Sequence, residues 1–308
     1  MSSSAIDTTP QKQDGGFFDK LRNSKSFRYR VSVGIRLIIA LFLIFFSVFP
    51  VIWVFSASIN PIATLAGQTL IPENASFANY TELFSSEVFP YWRWFWNSIK
   101  IASISTVLSL SITTLAAYAF SRFRFQGRTN MLKVILLIQV FPGLLAIVAV
   151  FLMISDLGDI IPFFGLDTHA GLILVYMGGA MGINIWLMKG FFDTIPRAID
   201  ESAMVDGASH WQIFTRLLLP LMRPILIVIG ILSFIGTYGD FILARVLLKS
   251  TEQYTLMVGL QIFTAGQFAQ KWGQFSAGAL IGALPIMIIY LSLQDYIVGG
   301  LTTGAVKG

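Results

Sequence analysis

The stretch LIIALFLIFFSVFPVIWVFSAS, Leu37–Ser58, decides the fold class. It runs for twenty-two residues without a charged side chain. At about 1.5 Å per residue, a helix of this length covers the ~30 Å hydrocarbon core of a bilayer. Lipid offers no partner to a free N–H or C=O, so a helix, which bonds its backbone internally, is the form such a stretch takes. The apolar run is longer than that of a secretory signal, and the charged region before it extends to Arg36. It therefore reads as a retained span and not as a cleaved leader.

Working outward, five more stretches have this character: Trp96–Phe120, Val134–Ile154, Gly171–Met188, Ile225–Val246 and Ala277–Val298. The 308 residues are 55% hydrophobic and only 12% charged, where a soluble domain carries about 25% charge. This balance argues against a soluble enzyme, a disordered chain and a nucleic-acid binder. The chain has no cysteine and only two histidines, His169 and His210, so thiolate metal sites and thiol catalysis are excluded. The expected fold is all-α: a polytopic membrane protein of six transmembrane helices, with the lipid bilayer as its solvent.

The net charge of +5 is unevenly spread. Seven Lys and Arg lie in the N-terminal segment through Arg36, with Arg122, Arg124, Arg128 and Lys133 after the second span. Lys189, Arg197, Arg216 and Arg223 follow the fourth, and Lys307 the sixth. The alternate loops hold only Arg93, Arg245, Lys249 and Lys271, with Lys100 just inside a span. Basic residues collect on the cytoplasmic side, which puts both termini there. The seven tryptophans fall near span ends and read as headgroup-level anchors. Residues 1–34 read as a flexible tail, 35–298 as the membrane domain and 299–308 as a short second tail.

Several residues inside the spans call for a role. Ser103, Ser105, Thr106, Ser109, Ser111, Thr113 and Thr114 can return hydrogen bonds to the preceding helical turn. Gly178/Gly182 and Gly278/Gly282 are GxxxG pairs that predict close packing. Pro50, Pro142 and Pro285 predict kinks, which line a pathway or are kinks only. Gln139 and Asn184 predict interhelical hydrogen bonds. Asp240 has no cation near it on its own helix; it is either a pathway or gating carboxylate or one in contact with interfacial water. His169 predicts a loop hydrogen bond, and His210 a contact with lipid headgroups or a partner.

The loop Lys189–Pro224 is too polar to span yet clearly patterned. Pro196 suits a helix start, and Ile199, Ala203 and Met204 would share a face. Gly207 can end the helix in a left-handed conformation. Ser209 and Gln212 form an S-x-x-Q capping box. A second helix follows with Ile213, Phe214, Leu217 and Leu218 at helical spacing, until Pro220 breaks its regular hydrogen bonding. Such a pair of short helices docks in a groove on a soluble partner or lies on lipid.

The run ESAMVDGASHWQIFTRLLLP, Glu201–Pro220, resembles the EAA loop of bacterial ABC importer permeases, E-A-A-x3-G-x9-I-x-L-P. Glu201, Ala203, Gly207, Leu219 and Pro220 match; Ser202 replaces the second motif residue and Leu217 stands at the isoleucine. AYAFSRFRFQGR, IPFFGLDTHAG, YTLMVGLQ and the terminal GGLTTGAVKG resemble permeases of the MalG type, from maltose/maltodextrin importers. The resemblance covers about residues 35–308. It implies a non-catalytic permease working by alternating access, and no G-x-x-x-x-G-K-[ST] phosphate loop occurs in the chain. It implies a MalF-like permease partner, a MalK-like ATPase dimer that carries the ATP and Mg, and an extracytoplasmic sugar-binding protein. This chain would bind no cofactor itself. Within 193–220, Glu201, Ser202, Ala203, Asp206, Gly207, Leu217, Leu219 and Pro220 would form the ATPase-coupling loop. Thr302, Gly304 and Lys307 would reach the ATPase interface, and Thr264, Ala265, Gly266 and Gln267 the binding protein. A trehalose or other glucoside permease is the alternative within the family, and a secondary transporter without ATPase the alternative outside it.

Overall fold

Helix α1, Lys25–Ile59, carries the first span through Pro50 without interruption. Its aromatic residues repeat every four positions and meet on one face: Phe42 with Phe46 at 6.3 Å, Phe45 with Phe49 at 5.8 Å and Phe49 with Trp53 at 6.1 Å. The computed structural model describes residues 25–61, 68–140, 143–265 and 270–305, and no strand occurs among them. The chain divides into two units, Met1–Val54 and Phe55–Gly308. Of the expected tail 1–34, residues 1–24 lie outside the described residues, and α1 already covers the remainder.

The second unit adds α2 (Ala78–Ser85), α3 (Tyr91–Arg122), α4 (Arg128–Val140), α5 (Gly143–Ile160) and α6 (His169–Thr194). Then come α7 (Arg197–Val205), α8 (His210–Gln212), a π-helical turn (Ile213–Leu218) and α9 (Leu219–Leu221). The chain continues through α10 (Arg223–Tyr238), α11 (Ile242–Leu247), α12 (Leu256–Ile262) and α13 (Trp272–Ala305). Tyr29–Ile59, Tyr91–Arg122 and Trp272–Gln294 are each long and apolar enough to cross a bilayer. Three bent pairs pass the same test together: α4 with α5 (109°), the two halves of α6 (47°) and His210–Leu221 with α10 (75°). That makes up to six crossings if each bent pair is one span. The expected fifth span, 225–246, is not one helix: α10 stops at Tyr238 and α11 starts at Ile242. Pro142 lies outside the described residues, whereas α13 continues through Pro285.

The core forms where α3 packs along α6 and α10, and α10 along α13. Ser105, Thr106, Ser109, Thr113 and Thr114 of α3 are buried there, whereas Ser103 and Ser111 are exposed. Ser111, Thr113 and Thr114 bond back to the carbonyls of Val107, Ser109 and Leu110 at 2.6–2.7 Å. Ser105, Thr106 and Ser109 are buried with no hydrogen-bond partner among the described residues. Asn184 reaches Ser233 across helices at 3.4 Å. Gln139 lies directly against Gly182, where an added Cβ would fall 1.7 Å from its Nε2. Gly278 and Gly282 behave as the GxxxG reading expects. Their carbonyls accept hydrogen bonds from Tyr91 and Tyr238, both at 2.8 Å. Gly178 departs from it: nothing among the described residues lies within 4 Å of a Cβ built there. Trp94 also departs. It is fully buried and donates to the Thr251 carbonyl at 2.8 Å, so it is core and not a headgroup anchor.

At the end of the bundle opposite the α7 loop, side chains stitch the segment 247–256 in place. Asn97 donates to the carbonyls of Glu252 (2.9 Å) and Tyr254 (3.0 Å), and Ser98 accepts from the Leu256 N–H (2.7 Å). His169 meets the Gln253 carbonyl at 2.9 Å, the expected loop hydrogen bond. Asp167 sits at φ 59°, a left-handed conformation that aspartate tolerates better than most residues. Its carboxylate accepts from the N–H groups of Lys249 (2.8 Å) and Ser250 (2.9 Å) and from the Ser250 hydroxyl. Partial burial acts to raise its pKa, but these hydrogen bonds and the Lys249 charge outweigh it and hold the carboxyl below its ordinary range.

Two predictions follow from these contacts. A group with a depressed folded pKa contributes stability above its unfolded value, near pH 4, and loses it as pH falls through the folded value. In detergent, the Asp167→Asn chain should therefore unfold at lower temperature than wild type at pH 7, and the gap should close below pH 4. A gap that does not change with pH would refute the charge-based clasp. Second, a Cβ at Gly259 would lie 2.1 Å from the buried Trp94 ring. Gly259→Ala should cost about 1–3 kcal/mol by overpacking, while Gly178→Ala leaves the unfolding temperature of the isolated chain unchanged.

Candidate coupling interface

Helix α7 begins after Pro196, whose extended backbone (φ −57°, ψ 133°) caps it one residue before the first turn. Its end is a Schellman motif. Gly207, at φ 81°, donates to the Met204 carbonyl at 3.1 Å, and Ala208 donates to the Ala203 carbonyl at 2.9 Å. The expected left-handed glycine stop is therefore present. Two residues on, the Ser209 side chain accepts from the Gln212 N–H (3.3 Å), and Gln212 Oε1 accepts from the Ser209 N–H (2.8 Å). These bonds fix the turn between the two short helices without help from lipid or a partner.

The second helix changes register. Residues 213–218 form a π-helical turn, and the Leu219 N–H bonds to the Phe214 carbonyl five residues back. Pro220 has no N–H to give and its ring would crowd an α-helical carbonyl; the wider turn lets the helix pass it. In that register, residues five apart share a face. Ile213, Phe214 and Leu218 are buried while Leu217 is 37% exposed, so Leu217 leaves the apolar face expected from α-helical spacing.

The inward face of α7 also differs from expectation. Asp200 and Ala203 are buried, and Ile199 and Met204 are exposed. Ala203 packs with Ile213, Phe214 and Leu218 of its own chain. Asp200 can face inward because Arg122, the last residue of α3, meets it there: Nε lies 2.5 Å from Asp200 Oδ2, with both side chains nearly buried (7% and 11% exposed). The Nε–H is not aligned as a hydrogen bond, and Asp200 Oδ1 has no partner among the described residues. Arg122 spends its other donors on the end of α6, giving Nη1 to the Phe192 carbonyl and Nη2 to the Ile195 carbonyl, both at 3.0 Å. Arg197 Nη2 donates to the Ser121 carbonyl (3.0 Å), and Tyr118 donates to the His210 carbonyl (3.2 Å). The His210 ring packs edge-on to Phe123 at 5.1 Å. From sequence, Arg122 reads only as one of the cytoplasmic-side charges, and Asp200 and Tyr118 carry no assigned role. The available signal was Asp200 at i−3 from Ala203, on the face that the Gly turn folds inward.

What remains outward on α7 is Glu201, Ser202, Met204, Asp206 and Val205, the last 87% exposed. Beside it lies a groove of about 370 Å³ lined by Asp206, Gln212 and Arg216 among others. A charged and apolar helical face on a rigid turn, with an open groove alongside, is suited to docking. Leu219 is half-buried and Pro220 exposed.

The remaining expected site residues lie elsewhere. Asp240 sits in the break between α10 and α11, where Oδ1 accepts from the Tyr176 hydroxyl (2.8 Å) and the Ala244 N–H (3.1 Å). It is tied to α6 and to the start of α11, not set midway along one helix. Thr264 bonds to the Gln261 carbonyl at 3.1 Å and Ala265 is exposed; Gly266 and Gln267 lie outside the described residues. Helix α13 continues to Ala305, so Thr302 and Gly304 are helical where a tail from 299 was expected. Lys307 lies outside the described residues.

Residues 112–302 match the family described as binding-protein-dependent transport system inner membrane component. The chain is 42% identical over 272 residues to a maltose/maltodextrin transport system permease protein MalG of Vibrio vulnificus (strain YJ016), covering 85% of this chain and 91% of that one. It is 41% identical over 271 residues to the protein of that name from Escherichia coli (strain K12), covering 84% and 90%. A solved bacterial ABC transporter that imports the acidic polysaccharide alginate superposes with a TM-score of 0.74 at 25% identity, covering 89% of this chain and 98% of that one. The chain therefore belongs to the binding-protein-dependent transport inner membrane component family, and is a non-catalytic permease subunit of an ABC importer.

Proposed function

We propose that this chain is one of two permease subunits of an ATP-driven importer for maltose and maltodextrins. The observation that carries the substrate class is the identity of 42% over 85% of the chain with a MalG permease. The chain crosses the membrane six times with both termini in the cytoplasm, in keeping with its Lys and Arg distribution. It pairs with a MalF-like permease and sits on a MalK-like ATPase dimer that binds the ATP and Mg. A binding protein delivers the sugar from the extracytoplasmic side, by way of the loop around Thr264–Gln267.

Helix α7 is the coupling element in this reading. Its exposed Glu201, Ser202, Val205 and Asp206 meet a cleft in one ATPase subunit, and the Schellman turn at Gly207 sets the angle at which they are presented. Ala203 packs beneath the turn with Ile213, Phe214 and Leu218, and Leu217, Leu219 and Pro220 complete the coupling surface beside it. The helical segment with Thr302 and Gly304 approaches the same interface, with Lys307 beyond it. ATP binding closes the ATPase pair, draws the coupling helices together and opens the cavity outward; hydrolysis returns it inward. Asp240, held by Tyr176, sits where α10 gives way to α11 and takes part in that rearrangement.

The assembled complex in proteoliposomes tests this. Maltose or maltotriose with the binding protein should stimulate ATP hydrolysis; stimulation by trehalose alone would reassign the sugar. A homo-oligomer that transports without any ATPase would refute the reading entirely. Gly207→Val imposes a left-handed β-branched residue, at about 1–2 kcal/mol or more. That variant should insert in the membrane yet lose sugar-dependent ATP hydrolysis. Glu201→Lys should reduce the amount of ATPase that co-purifies, leaving the unfolding temperature of the permease unchanged.

A further inference from the structure

We infer that the Arg122–Asp200 pair is the joint through which movement of the docking helix reaches the membrane spans. This rests on the reading of α7 as the ATPase-docking helix. Besides its covalent ends and the Arg197 bond to the Ser121 carbonyl, α7 passes a load on through its buried face, which holds Asp200 and Ala203. Ala203 makes only apolar contacts, and packed apolar surfaces slide past one another at small cost. Asp200 contacts a guanidinium in a nearly dry site, where an ion pair resists separation far more than it would in water. Breaking it would leave two buried charges uncompensated.

Arg122 is also the right group to distribute that load. Its backbone ends α3, and its Nη atoms grip the last carbonyls of α6 at Phe192 and Ile195. Helices α3 and α6 pack along much of their lengths, so a displacement of Asp200 acts on both through one side chain. The planar fork permits this; a lysine ammonium could not reach two carbonyls and a carboxylate in fixed directions. The contact is not a bidentate clamp, because Nε–H is unaligned and Oδ1 is unbonded among the described residues. The joint therefore transmits force through a single charged contact, with Arg197 and the packing of Ala203 holding the orientation of α7 beside it. Arg122 and Asp200 are positioning residues: neither is assigned a contact with sugar or nucleotide.

The test uses the complete complex, with partner permease, ATPase and binding protein, reconstituted in proteoliposomes. Asp200→Asn, Arg122→Gln and the double variant are compared for sugar moved per ATP hydrolysed, for ATPase retained on co-purification and for the ATP KM. Each single variant should lower the sugar-per-ATP ratio about fivefold or more, with ATPase retention and ATP KM unchanged. The double variant should be no worse than the worse single one, because both substitutions remove the same tie. It also removes both charges, which covers the case in which Arg122→Gln misfolds by stranding Asp200. A wild-type ratio in Asp200→Asn, additive losses in the double variant, or a loss explained by missing ATPase would each overturn the joint. Failure of the wild-type chain to retain any ATPase would instead overturn the docking reading beneath it.

Discussion

Three helix ends converge on the Arg122 guanidinium, and each brings a polar group that cannot stay unpaired. The Phe192 carbonyl of α6, which also accepts the Ile195 N–H, and the Ile195 carbonyl just past the helix fall where α3 also ends. A cation placed there answers both these carbonyls and the negative end of the helix dipole. The same cation makes it tolerable to bury Asp200 of α7. Without Arg122, Asp200 would be left as an uncompensated buried charge.

The two ends of the bundle solve similar problems with different materials. At one end, polar side chains of α3 and α6 reach backbone groups of a loop: Trp94, Asn97, Ser98 and His169 hold 251–256, and Asp167 holds Lys249 and Ser250. That arrangement fixes the path of a chain segment. At the other end, side chains tie helices to each other, with an apolar cluster of Met188, Phe192, Ala203, Ile213, Phe214 and Leu218 filling the space between. That arrangement fixes the orientation of a short helix. A permease subunit that takes cargo from one side and energy from the other has a use for both.

The local devices of the α7 loop were legible in the residues themselves. Gly207 adopts the left-handed conformation, and Ser209 with Gln212 closes a capping box, because each depends only on neighbours within a few positions. The face assignment was not legible. Leu217 was read as inward from a spacing of 3.6 residues per turn, but the backbone widens into a π turn ahead of Pro220 and moves it out. Asp200 gives no sign in the sequence of being buried, because a carboxylate on an amphipathic helix is ordinarily exposed and its partner Arg122 is far away in the chain. Hydropathy makes the fifth span look continuous through Asp240, because it does not register the helix break at Gly239–Phe241, where Asp240 is held by Tyr176 on another helix.

Sequence alone settled what any chain of this composition must do in lipid. Long uncharged stretches must form helices, since every backbone polar group needs an internal partner there. It also settled the turn chemistry of the α7 loop, because the Gly207 stop and the Ser209–Gln212 capping box are written in adjacent residues. Tertiary structure decided which of those residues face in. Trp94 became core because Gly259 leaves room for its ring, Gly178 was left open where Gly278 and Gly282 were closed, and Arg122 met Asp200 across the turn. Burial of a side chain is set by what stands opposite it, and that neighbour arrives from a distant part of the chain only when the helices pack.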